Sequence, residues 1–162
     1  MLVKKILRES GTGLIEIILA LSIVLLGVFA LLKTYNYYLR FALSHRHDAK
    51  VALLLEEGIE AIKILRDVSW SQKIATLSSG SVYSLEFVNS TWSATTSRKY
   101  VDGVFDRTLV LSDVYRDSSD DIAGSGVLDS NTKKAVVLVA YNGIVGTTTK
   151  SVSVYVTNLF SN

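Results

Sequence analysis

From Leu14 to Leu32 the chain reads LIEIILALSIVLLGVFALL, apolar throughout except for Glu16, Ser22 and the small Gly27. With Thr12 and Gly13 the stretch holds 21 residues. At about 1.5 Å per residue, a helix of that length crosses a hydrocarbon core of roughly 30 Å. A run that is apolar on every side leaves no face for water, so it must be covered by lipid or by other apolar surface. Tyr35, Tyr37 and Tyr38 come directly after it, with Lys33 and Arg40 beside them. Amphipathic rings and long cationic stems of this kind settle at a membrane-water boundary. A secretory signal peptide shares the basic start and apolar run. This run is longer than a typical signal core, however, and the residues after it continue as helix instead of offering a small-residue cleavage site.

After Tyr38 the pattern becomes amphipathic. Leu39, Ala42, Ala49, Leu53, Ile59, Ile62 and Leu65 recur at helical spacings, while Arg46, Asp48, Lys50, Glu56, Glu57, Glu60, Lys63, Arg66 and Asp67 take other faces. Proline is absent from the whole chain, so its strongest helix breaker is missing. The pattern predicts one helix over 12–67, about 55 residues and roughly 80 Å long. Gly27 and Gly58 are its weak points, each costing about 1 kcal/mol relative to alanine.

Beyond Trp70 the period changes to two. Ser81–Val88, Thr108–Tyr115, Lys134–Tyr141 and Lys150–Thr157 read as strands, the last as KSVSVYVT with its valines on one face. Asn142-Gly143-Ile144-Val145-Gly146 suits a hairpin connection between the last two, and Asp102-Gly103 marks another turn. The segment DSSDDIAGSGVLDSNT between Arg116 and Lys133 reads as a surface loop. The fold class expected is α+β: one long N-terminal helix packed on an antiparallel sheet of about four strands.

Charge settles less than it first suggests. The formal net charge is +2, from 17 basic and 15 acidic residues. Lys4, Lys5 and Arg8 all lie in the first eleven residues, and removing that segment with Glu9 leaves 14 of each sign. Bulk charge therefore gives no reason to expect a nucleic-acid partner. With no cysteine, the fold has no disulfide, and thiolate catalysis and cysteine metal sites are excluded.

The most specific signal stands at the front of the apolar run, Gly11-Thr12-Gly13-Leu14-Ile15-Glu16 and then IILALSIVLLG. It resembles the processing and assembly motif of type IV pilins and of the pseudopilins of type II secretion. In that family a glycine ends a short basic leader and a glutamate stands fifth in the mature chain. The resemblance puts the family's glycine on Gly11, the first mature residue on Thr12 and the glutamate on Glu16. Threonine at the first mature position departs from the family's usual phenylalanine or methionine, which bears on N-methylation. A cut after Gly13 instead would make Glu16 the third residue, against the pattern. Residues 53–70 and the closing hairpin look more like minor pilins and small pseudopilins than like disulfide-bearing major pilins.

Physical reasons stand beside the resemblance. A peptidase in the membrane needs a flexible backbone at the scissile bond, which glycine supplies, and a short basic leader held on the cytoplasmic side. An unpaired carboxylate such as Glu16 costs on the order of a few kcal/mol inside a membrane segment. Cleavage would give Thr12 a positive α-amino group four residues away, on the same helix face and able to neutralise it. The plainer alternative is an interfacial glutamate at a helix end.

Other constellations read as structural. His45 and His47 are two apart and so point to different helix faces, where a metal pair would prefer four. No nucleophile elbow or P-loop is present in the sequence. Asp117, Asp120, Asp121 and Asp129 could bring carboxylates together around calcium, as in some pseudopilins, although a solvated acidic loop is the simpler reading. Asn89-Ser90-Thr91 matches a glycosylation sequon, a pattern common by chance. Trp70, Trp92, Tyr83 and Tyr100, near Arg98 and Lys99, could form a surface for single-stranded nucleic acid but suit a core better.

The resemblance thus implies a leader over 1–11, a transmembrane and assembly helix over 12–33, its amphipathic continuation over 34–69 and an extracytoplasmic β-rich domain over 70–162. It implies no catalytic site and no cofactor, calcium at Asp117–Asp129 apart. The partners implied are a prepilin peptidase, like or unlike pilin subunits and the inner membrane, with the product a surface or periplasmic filament. The rival expectation is a single-pass anchor, never cleaved, whose β domain binds an extracytoplasmic ligand.

Overall fold

A computed structural model describes the backbone over residues 3–143 and 146–159, with side chains from Gly13 onward except Ser44. Helix α1, Val3–Val68, leads into a π-helical turn, Trp70–Ile74, and then into strands β1 (Val82–Val88), β2 (Thr91–Thr95), β3 (Tyr100–Val101), β4 (Phe105–Arg116), β5 (Ile122–Ala123), β6 (Val127–Gly143) and β7 (Gly146–Thr157). The chain divides into two units, Met1–His45 and Arg46–Asn162. Residues of α1 up to His45 belong to the first; the rest of α1 and all of the sheet form the second.

The expected helix is present, with two differences at its start and face. It begins at Val3 instead of Thr12, because nothing between Val3 and Leu14 is strong enough to break it; Gly11 and Gly13 lower helix propensity without stopping it. It ends at Ser69, whose extended backbone (φ −170°) leaves the helix and whose hydroxyl accepts the Gln72 N–H at 3.3 Å. The face turned to the sheet is Val51, Leu54, Gly58, Ala61, Ile62 and Leu65; Ile62 and Leu65 of the expected stripe lie on it, while Ala49 and Leu53 are exposed. Leu53 is 62% exposed. The run Ala52-Leu53-Leu54-Leu55 offers apolar groups on several sides, and Gly58 decides among them. A Cβ there would lie 2.6 Å from Val137 Cγ1, so glycine lets the helix backbone approach β6.

The sheet is antiparallel, in the order β2-β1-β4-β6-β7, with β3 and β5 paired to β4. All four expected strands are there, and β4, β6 and β7 are longer than expected. Inward residues alternate as the period of two requires: Tyr83 and Leu85 on β1, Phe105, Leu109 and Leu111 on β4, and Ala135, Val137, Val139 and Tyr141 on β6. Of these, Tyr83, Leu85, Leu109, Leu111, Ala135 and Val137 form the main core with Ala61, Ile62, Leu65, Trp70 and Ile74. A second cluster joins Val51 and Leu54 to Phe105, Val139 and Tyr141.

Three short strands were not anticipated. β2 pairs with β1 through Asn89-Ser90, both at positive φ (52° and 61°) as in a type I′ turn, where no glycine advertises the hairpin. Asp102-Gly103 makes the anticipated turn in the same way, with φ of 52° and 67°. The supposed loop between Arg116 and Lys133 is corrected: β5 lies within it, and β6 begins at Val127. A register shift at Asp113/Val114 moves the partner of β4 from Lys133 to Asp129, so the ladder resumes beyond a bulge instead of ending. Gly143 pairs with Gly146 across the last hairpin, while Ile144 and Val145 lie outside the described residues.

Candidate assembly site

The first unit carries the residues on which the sequence motif rests. Every large apolar side chain from Leu14 to Leu32 is exposed, most at half or more of its surface. Helix α1 is long and apolar enough to cross a membrane. Its polar side chains answer to the backbone: Ser22 Oγ donates to the Ile18 carbonyl at 2.7 Å, Thr34 Oγ1 to Ala30 at 2.9 Å and Asn36 Nδ2 to Leu32 at 2.9 Å. Each is a back-bond of four residues, the arrangement that satisfies a hydroxyl or amide where no water is available.

Glu16 is different. It is exposed, and among the described residues it forms no hydrogen bond or ion pair. Ser22 and Thr34 can turn back onto a carbonyl because they donate, whereas a carboxylate can only accept and every carbonyl repels it. The helix runs without interruption through Gly11 and Thr12, which sets position 12 about one turn from Glu16. The side chains of Lys4, Lys5, Arg8 and Thr12 lie outside the described residues.

The other candidates lie in the second unit, except His45, which ends the first. His47 is half-buried, its ring edge-on to Phe105 and Tyr141 at 5.7 and 5.2 Å, so it is a packing residue. His45 stands edge-on to Phe41 at 4.2 Å. Trp70 and Tyr83 are buried, and Tyr83 accepts the Ser78 N–H on its hydroxyl at 2.9 Å. Trp92 packs on Phe87, and Tyr100 is exposed with Arg98 over it at 5.2 Å. The four aromatic residues therefore do not share one surface.

In the acidic segment the guanidinium of Arg116 stands among the carboxylates. Arg116 Nε donates to Asp129 Oδ2 at 2.7 Å and lies 3.6 Å from Asp120 Oδ1, while Nη1 donates to the Asp120 carbonyl at 2.7 Å. Asp117 Oδ1 accepts the N–H groups of Ser119 and Asp121. The Arg116 hydrogen bond holds the Asp129 carboxyl below the usual aspartate range, and Asp129 in turn raises the guanidinium. Among the described residues no three His, Asp or Glu side chains come together as a metal site. Asn89 of the sequon sits on the β1–β2 turn.

Arg107 carries structural weight that the strand pattern alone did not bring forward. It takes an inward position on β4, its side chain 4% exposed. Its Nη1 lies 2.7 Å from Glu57 Oε2 on α1, a close charge contact without hydrogen-bond alignment, so Nη1 and Nε remain without a hydrogen bond. Nη2 donates to the Leu85 carbonyl at 3.2 Å, and the guanidinium stands 5.0 Å over Trp92. The period of two across FDRTLVL already puts position 107 with Phe105, Leu109 and Leu111, which was the available signal.

Compared with protein-family models, with curated proteins and with solved structures, the chain finds no match. The architecture is pilin-like in general form: a long N-terminal helix, apolar enough to span a membrane, whose later turns pack on an antiparallel sheet.

Proposed function

We propose that this chain is a structural subunit of a type IV pilus or type II secretion-like filament. A prepilin-type peptidase hydrolyses the Gly11–Thr12 bond, leaving a carboxylate on the leader and a protonated α-amine on Thr12. That amine pairs with Glu16 of its own chain or of a neighbour. The apolar segment holds the subunit in the inner membrane with the β domain outside, and packs against like segments once the subunit is extracted. Because lipid already covers that segment, the net gain on leaving the membrane is well below the roughly 25 cal/mol per Å² of transfer from water. No reaction is assigned to the chain itself.

The observation that carries this reading is Glu16. It is an acceptor-only side chain, without a hydrogen bond or ion pair among the described residues, in the apolar stretch 14–32, where the other polar side chain, Ser22, bonds back to the Ile18 carbonyl. A plain anchor gains nothing from such a residue, whereas an assembly helix with a new N-terminus one turn away does. Intact mass and N-terminal sequence, measured on protein from membranes containing an active prepilin peptidase, test the cleavage. A start at Thr12, methylated or not, supports it. A chain retaining Met1 refutes it and leaves the uncleaved anchor as the working account. Glu16→Ala should then be processed normally yet fail to enter filaments.

A further inference from the structure

Lys33 and Arg40 stand seven residues apart on α1, so they share one side of the helix about 10 Å apart along its axis. Asn36 and Tyr37 lie between them on that side, and with Phe29 and Leu32 these residues line one shallow groove. Residues 17–47 contain no Asp or Glu, so no carboxylate stands three or four positions from either cation. Among the described residues neither cation forms an ion pair. Tyr37 is 67% exposed and brings a phenol to the same groove.

The groove therefore offers an ammonium, a guanidinium and a phenol at one end and the apolar surface of Phe29 and Leu32 at the other. Its ligand must be an anion rich in acceptor oxygens that carries an apolar body on one side only. Inorganic phosphate satisfies the first requirement and not the second. A zwitterionic phospholipid satisfies both but brings a positively charged ammonium against two cations. An anionic phospholipid, with its phosphodiester between Lys33 and Arg40 and its acyl chains along Leu32 and Phe29, meets every requirement. We propose that this face of α1 is a binding site for the phosphodiester of an anionic phospholipid of the phosphatidylglycerol class. The inference rests on the membrane-spanning reading of α1. It also accounts for two cations just past the apolar run, on the side opposite the leader, where the general bias of basic residues toward the cytoplasm does not explain them.

The full chain, reconstituted in vesicles of mixed phosphatidylcholine and phosphatidylglycerol, provides the test. Flotation with the vesicles at alkaline pH comes first, and native mass spectrometry then reads the lipids that leave the bilayer with the protein. Phosphatidylglycerol should be enriched over its bulk share. Lys33→Gln and Arg40→Gln should each lower that enrichment about fivefold, the effect of one cation at an anionic membrane surface. Lys33→Arg should retain it. So should Arg46→Gln, thirteen residues from Lys33 and on another side of the helix, and added inorganic phosphate should not displace the lipid. Failure to float overturns both the membrane reading and the lipid site. Flotation without enrichment, equal loss in Arg46→Gln, or displacement by inorganic phosphate overturns the lipid site alone.

Discussion

Gly58 is the point where helix propensity and packing give opposite answers, so substituting it shows which one governs the join between α1 and the sheet. On an open helix face, Gly→Ala stabilises by about 1 kcal/mol. At Gly58 the new Cβ would lie 2.6 Å from Val137 Cγ1 and 3.4 Å from Cγ2. Carbon atoms rest at about 3.5 to 4.0 Å, so roughly 1 Å must open between helix and strand. Val137 is fully buried and β-branched, with little rotamer freedom to yield. Overpacking of this kind costs about 1 to 3 kcal/mol, and with a mid-range value the net effect is a loss of about 1 kcal/mol. The double variant reverses the sign: with Val137→Ala in place the obstructing methyls are gone, and Gly58→Ala should stabilise by about 1 kcal/mol. Urea unfolding of the full chain in detergent, monitored by the fluorescence of buried Trp70, gives all four corners of the cycle. A gain of about 1 kcal/mol from Gly58→Ala in the unmodified chain would refute the close-approach account.

Glu57→Gln should destabilise by about 1 to 2 kcal/mol in the same assay, because it leaves the Arg107 guanidinium buried without its counter-charge; the half-exposed position of Glu57 keeps the cost below that of a fully buried pair. Arg107→Met in the Glu57→Gln background should recover part of that loss, and no recovery would argue against a desolvation cost at this site. The Asp113 carboxyl is held below its ordinary range first by its hydrogen bond from Lys133 and then by Ser79, and Asp129 by Arg116. Both folded values lie below the unfolded ones, so their contribution is present above about pH 4 and is lost as pH falls through the folded values. Asp113→Asn should therefore flatten the acid limb of a stability-against-pH curve while leaving the limb above pH 7 parallel to that of the unmodified chain. Gly126→Ala should loosen the ribbon around β5, since φ is +144° and a Cβ would meet the Arg116 carbonyl oxygen at 2.1 Å; amide exchange should rise over 116–132 and stay unchanged over 135–141.

The parts of the fold that were legible in the sequence are those where one period dominates. The apolar run from Leu14, the amphipathic turns after it and the four long strands each repeat a single pattern over many residues, and local errors average out. The inward face of α1 was legible at Ile62 and Leu65 but missed at Val51 and Leu54, because several registers were equally apolar between Ala49 and Leu55. Only the tertiary approach at Gly58 decides among them, and a glycine read alone looks like a flaw in a helix. β2 was missed because Asn89-Ser90 turns as a glycine pair would without containing glycine. The segment after Arg116 was missed because its turn residues are real, while the ladder that resumes past the bulge depends on pairing with β4. Of the proposed assembly motif, Glu16 could be singled out from the sequence, since a carboxylate in an apolar run is conspicuous.

The two stretches of α1 differ in what can satisfy them. From Arg46 onward the helix finds its partner within the chain: Val51, Leu54, Ala61, Ile62 and Leu65 are buried against β4 and β6, and Glu57 reaches the buried Arg107. From Gly13 to Leu32 large apolar residues point in every direction, and among the described residues nothing in their own unit covers them. Such a surface is tolerable in lipid or among other apolar helices, and the back-bonded Ser22 and Thr34 suit both settings equally. Glu16 does not suit both. In lipid alone it is a cost with no return, while under the proposed cleavage a bundle of such helices, each bringing a free amine at position 12, would neutralise it and limit how far one helix can slide past the next. The residue that makes the segment a poor anchor is therefore the one that would give a filament its register.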